Sequence, residues 1–401
     1  MGIGCKGARY VVFALLLSAW AVVNALAETP VRNGGNATNA WTEQLAYLNL
    51  PWSFPRPALR VLSKENTVRF EAGGRIYFAT DAKTVEREDG TFQSFRISGE
   101  ATSFITTYRG LSLGQIHVPE GTFLWEENGR GETKFLRLAP PSWTCAMPEA
   151  RPGSRAVPNA LPAGKRRAVR HPGPEKIVVR VAVVVTAESF AAAGGADAVH
   201  LEAQALIDQL NVIVRDSVGK DGGQPYVTFV LTGTPLVSFT PTGNATADVI
   251  ALPKDPMIVA ERKAEQASIV AVMTEQDNGR VIWVPESFAD FDQSYGFLVF
   301  PRRYALLSYV FAHEIGHVFG MRHNPENSPG TTAIPYAYGY HNDLGEFNDI
   351  MSSYHNFRTV PLFSTTSVLW KGMAIGAPDA DNARLLGEGG RFVMTYHDHL
   401  Q

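Results

Sequence analysis

Cysteine is nearly absent from this chain, with two residues in 401, Cys5 and Cys145. Cys5 falls in an N-terminal targeting segment, so Cys145 is the only thiol expected to remain and no internal disulfide can form. A small disulfide-stapled scaffold is thereby excluded. Long apolar runs are lacking too. Val11–Val23 has thirteen residues, whereas a bilayer span needs about twenty, and no later stretch is long and apolar enough. Charge of one sign is also scarce. The 36 Lys and Arg against 39 Asp and Glu give a formal net charge of −3, which offers no electrostatic footprint for nucleic acid or an anionic membrane. The length allows two domains.

The N-terminus has the parts of an export signal. Lys6 and Arg9 form a basic start, Val11–Val23 is the apolar stretch, and Ala25-Leu26-Ala27 fits a small-x-small cleavage site. Residues 1–27 are therefore expected to be a signal peptide, with the product secreted or periplasmic. Residues 67–138 then alternate short strand-like runs (Thr67–Phe70, Arg75–Ala79, Thr91–Ile97, Ser103–Tyr108, Phe123–Trp125 and Lys134–Leu138) with Gly, Asn and Asp turns. This spacing predicts a β-rich module. Residues 148–176 carry six prolines and the basic cluster Lys165-Arg166-Arg167, which predicts an exposed linker. That cluster is either a solvated charge run or a processing site.

Beyond the linker the pattern becomes α plus β. Ile177–Val185 is almost continuously β-branched, as in a buried strand. Val199, Ala203, Leu206, Leu210 and Ile213 recur at steps of four and three, which predicts an amphipathic helix over 196–218 stopped by Gly219. Strands are predicted at Tyr226–Leu231, Ser268–Met273 and Arg280–Val284, with a helix over Asp255–Gln266.

The chemistry lies in His313-Glu314-Ile315-Gly316-His317-Val318-Phe319-Gly320-Met321-Arg322-His323, which reads H-E-x-x-H-x-x-G-x-x-H. On a helix, His313 and His317 leave the same face and can share one metal ion. Glu314 is rotated by about 100° from His313, placed to reach a water without being a ligand. Gly320 can adopt the left-handed conformation that ends a helix and returns His323 to the same ion. Three imidazoles and one open position make a catalytic zinc site. H-E-x-x-H alone arises by chance at about the one per cent level in such a chain, and the Gly and third His lower that by roughly a thousandfold. One zinc ion is expected, with Glu314 as general base.

Met351 follows the third His by about thirty positions, in Asp349-Ile350-Met351. The long motif followed by such a Met-turn resembles the metzincin zinc metalloproteases. The flanking runs Ser308-Tyr309-Val310-Phe311-Ala312, Pro335-Tyr336-Ala337-Tyr338-Gly339-Tyr340 and Leu362-Phe363-Ser364 are similar to those of bacterial reprolysin-like proteins, peptidyl-Asp metallopeptidases included. The resemblance covers about residues 177–401. It departs at Val318, where Asn is usual, and at Asn324, where Asp is usual; neither change removes a ligand.

The resemblance implies an α+β fold. A β-rich prosegment, 28–167, precedes a two-lobed catalytic domain, 168–401, with a twisted mixed sheet and helices above the cleft and an irregular lower lobe below. It implies an edge strand at Val281, Ile282 and Trp283 that receives the substrate backbone. It implies an apolar floor at Met351 and a pocket wall after it, in which Arg358 is a candidate partner for an acidic side chain; Arg358 is alternatively a solvent-facing cation. Cys145 resembles the cysteine with which metzincin precursors silence their zinc, and is alternatively a buried structural thiol. Tyr354, His341, His355, His397 and His399 are left out of the site. Protein or peptide substrates are expected, with the prosegment as inhibitor. Two other readings stay open: a catalytically silent zinc-containing binding module, and a zinc hydrolase of non-peptide amides.

Overall fold

The computed structural model describes residues 60–62, 67–72, 75–119, 121–128, 130, 133–137, 145, 176–218, 227–328, 332–353 and 357–398. The expected signal peptide, the 148–175 linker with Lys165–Arg167, Tyr354, His355 and His399 lie outside them. All described residues belong to one compact unit, Pro51–Gln401. The architecture is mixed α+β.

The first region is an eight-stranded antiparallel meander in sequence order: β1 Arg60–Leu62, β2 Thr67–Ala72, β3 Arg75–Arg87, β4 Gly90–Ile97, β5 Ser103–Tyr108, β6 Leu111–Val118, β7 Gly121–Glu127 and β8 Thr133–Arg137. The predicted strand runs fall on six of these, and β1 and β6 had no counterpart in the sequence reading. In β6 the alternation is interrupted by Gly114. A Cβ there would lie 2.2 Å from the Phe104 carbonyl oxygen, so the close approach of β5 demands glycine.

The second region holds a six-stranded sheet with β9 Ile177–Thr186, β10 Val227–Gly233, β11 Leu236–Val237, β12 Ile269–Thr274, β13 Arg280–Val281 and β14 Phe297–Pro301. Its order is β10-β9-β12-β14-β13, with β11 beside β9. β9, β10, β12 and β14 run parallel, and β13 is antiparallel to β14 at the edge. Parallel neighbours need crossovers. These are supplied here by α1 Ala187–Ala193, α2 Ala196–Val218, α3 Ala245–Ala251 and α4 Pro256–Ala264. The sheet is covered on both faces: β12 is buried along its whole length, with side chains divided between two apolar clusters. That explains its unbroken apolar sequence.

After β14 come α5 Ala305–Ser308, α6 Val310–Val318, the short strands β15 His341–Asn342, β16 Phe347–Asn348 and β17 Arg358–Thr359, the hairpin β18 Thr365–Trp370 and β19 Met373–Ile375, and α7 Asn382–Val393. The motif-bearing α6 packs against β14 and β13 with every residue buried. No described helix is long and apolar enough to cross a membrane.

Candidate metal centre

The motif helix is set by its two ends. Tyr309, at φ 58°, separates α5 from α6 and starts the helix without a side-chain cap. At the other end Gly320 has φ +85°. The Gly320 N–H donates to His317 O at 3.0 Å and the Met321 N–H to Gly316 O at 3.0 Å, the bond pair of a Schellman motif with glycine in the left-handed position. This reversal swings Arg322 and His323 back along the helix, as the motif predicts.

Three imidazoles converge as a result. His313 and His323 have their Nε2 atoms 3.1 Å apart, and the centroids of the three rings lie 4.6 to 5.0 Å from one another. The Cys145 Sγ lies 3.6 Å from His317 Nε2. One donor atom from each of Cys145, His313, His317 and His323 falls within 4.8 Å of all the others. Donors about 2.05 Å from a tetrahedral zinc stand roughly 3.3 Å apart if both are nitrogen, and roughly 3.6 Å if one is sulfur at about 2.3 Å. The separations here therefore fit that ion.

The orientation of the rings is fixed from behind. His313 Nδ1 donates to the Ile350 carbonyl at 2.8 Å and His317 Nδ1 to the Met321 carbonyl at 2.7 Å. A carbonyl can only accept, so each Nδ1 carries the proton and each Nε2 presents its lone pair to the common point. Burial lowers the pKa of His313 to about 4. Burial, reinforced by its histidine neighbours, pushes His317 well below its ordinary value. Both are neutral near pH 7, the form that binds metal.

Glu314 is fully buried beside this cluster. Burial pushes its pKa up to about 8; the Cys145 thiol, the Arg280 charge and the Val281 backbone pull it down by less. The space for this carboxylate comes from Gly279, where a Cβ would stand 2.7 Å from Glu314 Oε1 and 2.8 Å from Val310 Cγ2. The Cys145 thiol is raised well above its usual range, first by burial and then by Glu314.

The remaining candidates are placed as follows. Met351 is buried beneath the helix, its sulfur 2.4 Å from where a Cβ on Gly316 would be, so the two are matched in size. Val281 is buried and pairs with Leu298, and the Ile282 N–H donates to Phe297 O at 3.1 Å. Trp283 packs against both apolar clusters. The edge strand is shorter than the predicted Arg280–Val284: it ends at Val281, and Pro285 has no N–H for a ladder. Arg358 stands on β17 and pairs with Glu100 of the meander at 3.1 Å. His341 and His397 face Asp343 and Asp398, away from the metal-ligating group.

Two residues that matter here received no role from the sequence. Asp349 is fully buried and accepts from the backbone N–H groups of Tyr340, Ser352 and Ser364 at 3.1, 2.8 and 2.9 Å. It pins the turn that carries Met351, and burial raises its pKa to about 7 despite those bonds. Asn324 Oδ1 accepts from the Ser353 N–H at 3.1 Å while its Nδ2 donates to Glu326 at 2.7 Å. It ties the residue after His323 to the residues after Met351, a role the amide fills as the usual Asp would. A short acceptor beside each of two motif residues was the available signal.

No curated protein matches this chain. Among solved structures, metalloproteinase-II from Bacteroides fragilis matches at 10% identity and TM-score 0.46, over 75% of this chain and 88% of that one. A chain described as part of a chaperone-substrate complex matches at 12% identity and TM-score 0.42. That match covers 73% of this chain but only 39% of the other, so this chain spans well under half the other's length. Residues 175–364, which contain the three histidines, Glu314 and Met351, match the family model Reprolysin_5, described as metallo-peptidase family M12.

Proposed function

We propose that the protein is an exported zinc-dependent endopeptidase, with residues 168–401 as a two-lobed catalytic domain and residues 28–167 as a prosegment that keeps it latent. The observation that carries this reading is Glu314: a fully buried carboxylate beside three imidazoles whose Nε2 atoms converge. A site that held metal only for structure would have no use for it, which disfavours the silent binding module.

When bound, zinc supplies Lewis acidity toward a peptide carbonyl and lowers the pKa of water toward neutrality. His313, His317 and His323 would hold it, in the tautomers their carbonyl partners impose. Glu314 accepts the proton of the attacking water on a carboxylate oxygen and passes it to the leaving amine nitrogen, which regenerates the carboxylate. β13, at the open edge of the sheet, orients the substrate by adding its backbone as an antiparallel strand. This need for an extended main chain favours peptide substrates over other amides.

Cys145 is the fourth donor of the latent chain. With its sulfur beside His317 Nε2, no space is left for the water that Glu314 activates. Cutting at Lys165–Arg167 frees the meander, and the thiol then departs because it is no longer held at high effective concentration. Casein hydrolysis by the purified chain, before and after cutting and with and without a chelator, tests the reading. Hydrolysis that appears on cutting and disappears with chelator is expected, and Cys145→Ala should be active uncut. Hydrolysis indifferent to chelator would sink the peptidase reading. Equal activity of the intact, cut and Cys145→Ala forms would sink the latency.

A further inference from the structure

A single residue parts the two helices α5 and α6. Ala305–Ser308 and Val310–Val318 would form one helix but for Tyr309, whose φ of 58° and ψ of 16° are left-handed. That conformation is unfavourable for a bulky L-residue and persists only where the surroundings impose it. In an unbroken helix the Val310 N–H donates to Leu306 O, four residues back. Here side chains occupy that carbonyl. It accepts from Gln115 Nε2 on β6 at 3.1 Å and from Gln209 Nε2 on α2 at 2.8 Å. Gln209 Nε2 also donates to Gln115 Oε1 at 2.9 Å, and Gln115 Nε2 to Tyr309 Oη at 3.3 Å. A carbonyl oxygen can only accept, so both amides present nitrogen to the break. Thr122 on β7 bonds the Tyr309 hydroxyl as well. Gln115, Gln209 and Tyr309 are all buried, where an unmade hydrogen bond is costly.

The residues that impose the break come from two regions. Gln209 belongs to the metallopeptidase segment, whereas Gln115 and Thr122 belong to the meander. We propose that the meander holds the motif helix in a broken form through Gln115, and that withdrawal of Gln115 lets α5 and α6 join into one helix over 305–318. Leu306 O has two lone pairs. Gln209 keeps one, and the Val310 N–H takes the one that Gln115 leaves. Tyr309, no longer held by its hydroxyl, then moves to the right-handed conformation that its neighbours already have. His313 and Glu314 stand in the turn just after the break, so joining extends the helix beneath them by more than a turn and stiffens their base. This rests on the reading of residues 28–167 as a removable prosegment. It adds to that reading a second hold on the site, made by an amide on the helix rather than by the Cys145 sulfur.

The test is hydrogen–deuterium exchange of the full, uncut chain, read by mass spectrometry on fragments within 305–313. Gln115→Met keeps the length of the side chain but cannot donate to Leu306 O. Joining the helices gives the amides at the break helical acceptors. Exchange there should therefore slow by about tenfold, the population ratio that relief of one left-handed residue supplies. Loosened packing alone would speed it, so the sign of the change separates a released switch from a damaged seam. Adding Tyr309→Gly should restore the parent rate, because glycine takes the left-handed conformation without steric cost. If Gln115→Met does not fold, Gln115→Ala removes the amide without a longer replacement and is read in the same way. Exchange that is unchanged or faster in the Gln115 variant, or a slowing that survives Tyr309→Gly, would overturn the proposal. The readout needs neither zinc nor cutting, so a failure here and a failure of the casein test give different outcomes.

Discussion

The two sheets of this molecule are held by different forces. The six-stranded sheet is sealed on both faces by apolar side chains; Val181, Val183, Val184, Val270, Ala271 and Val272 are all fully buried. The eight-stranded meander meets the neighbouring helices along a seam rich in polar groups. Asp208 on α2 accepts from Arg87 at 2.8 Å and from Thr106 at 2.7 Å. Asp216 pairs with Arg96 at 3.1 Å and accepts from Thr102. Gln115 donates to Leu306 O at 3.1 Å and to Tyr309 Oη at 3.3 Å, just ahead of the motif helix. Phe104 and Leu113 are the buried apolar residues of the meander that join the main core. Polar seams of this kind are separable, because each group freed can bond to water, whereas an opened apolar core cannot recover its loss. The comparison places the candidate metal ligands on His313, His317 and His323 beside the sealed sheet, and the polar seam between that region and the meander.

The sharpest way to break that assignment is at the metal. His317→Ala should abolish bound zinc and all hydrolysis, because His317 is mid-helix and, among the described residues, no fourth imidazole joins the cluster. Full zinc occupancy in that variant, by metal analysis, would remove it from the ligand set. Glu314→Gln should keep zinc and fold yet lower kcat by roughly 10²- to 10⁴-fold. Appreciable turnover would mean that another group takes the proton. Gly279→Ala should be smaller in effect, with kcat down by up to about 10²-fold because the new methyl displaces the carboxylate by a fraction of its own size. Zinc content should hold and KM should change little. An unchanged kcat would show that the close approach of Gly279 to Glu314 has no catalytic meaning.

The smallest expected effect probes the seam. Asp208→Ala removes the acceptor of Arg87 and Thr106 and should destabilise the intact chain by about 1–3 kcal/mol. After cutting in the linker it should speed release of the meander without altering the kcat of the freed enzyme. A changed kcat would couple the seam to the metal site and dissolve the distinction between the two regions.

Much of the site could be read in advance because its determinants are local. The i, i+4 histidines share a face by helix geometry alone, and Gly320 ends the helix by its own backbone freedom. The β9 strand and the α2 helix were equally legible, since long runs of consistent periodicity leave one solution: the helix predicted over 196–218 is Ala196–Val218. The strand β14, Phe297–Pro301, went unassigned because five consecutive apolar residues suit a buried strand and a buried helix alike. The edge strand was overextended because its end depends on when β14 stops offering partners. For Arg358 the sequence offered a substrate's acidic side chain or solvent, and the structure shows neither of these but an ion pair with Glu100, 258 positions away.

The sequence by itself determined that three imidazoles and a carboxylate share one short segment, because helical periodicity and a glycine reversal operate within a dozen residues. The scarcity of cysteine and of long apolar runs also set the expectation of no internal disulfide and no membrane-spanning helix. Only the tertiary structure decided what surrounds that segment. It brought the Ile350 carbonyl behind His313, Gly279 over Glu314, the Cys145 sulfur beside His317, and Glu100 between Arg358 and Lys371. Each of these joins residues that are tens to hundreds of positions apart. No local preference encodes such pairings; they follow from how the sheets and helices pack, and each is a distance of a few ångströms that only packing can set.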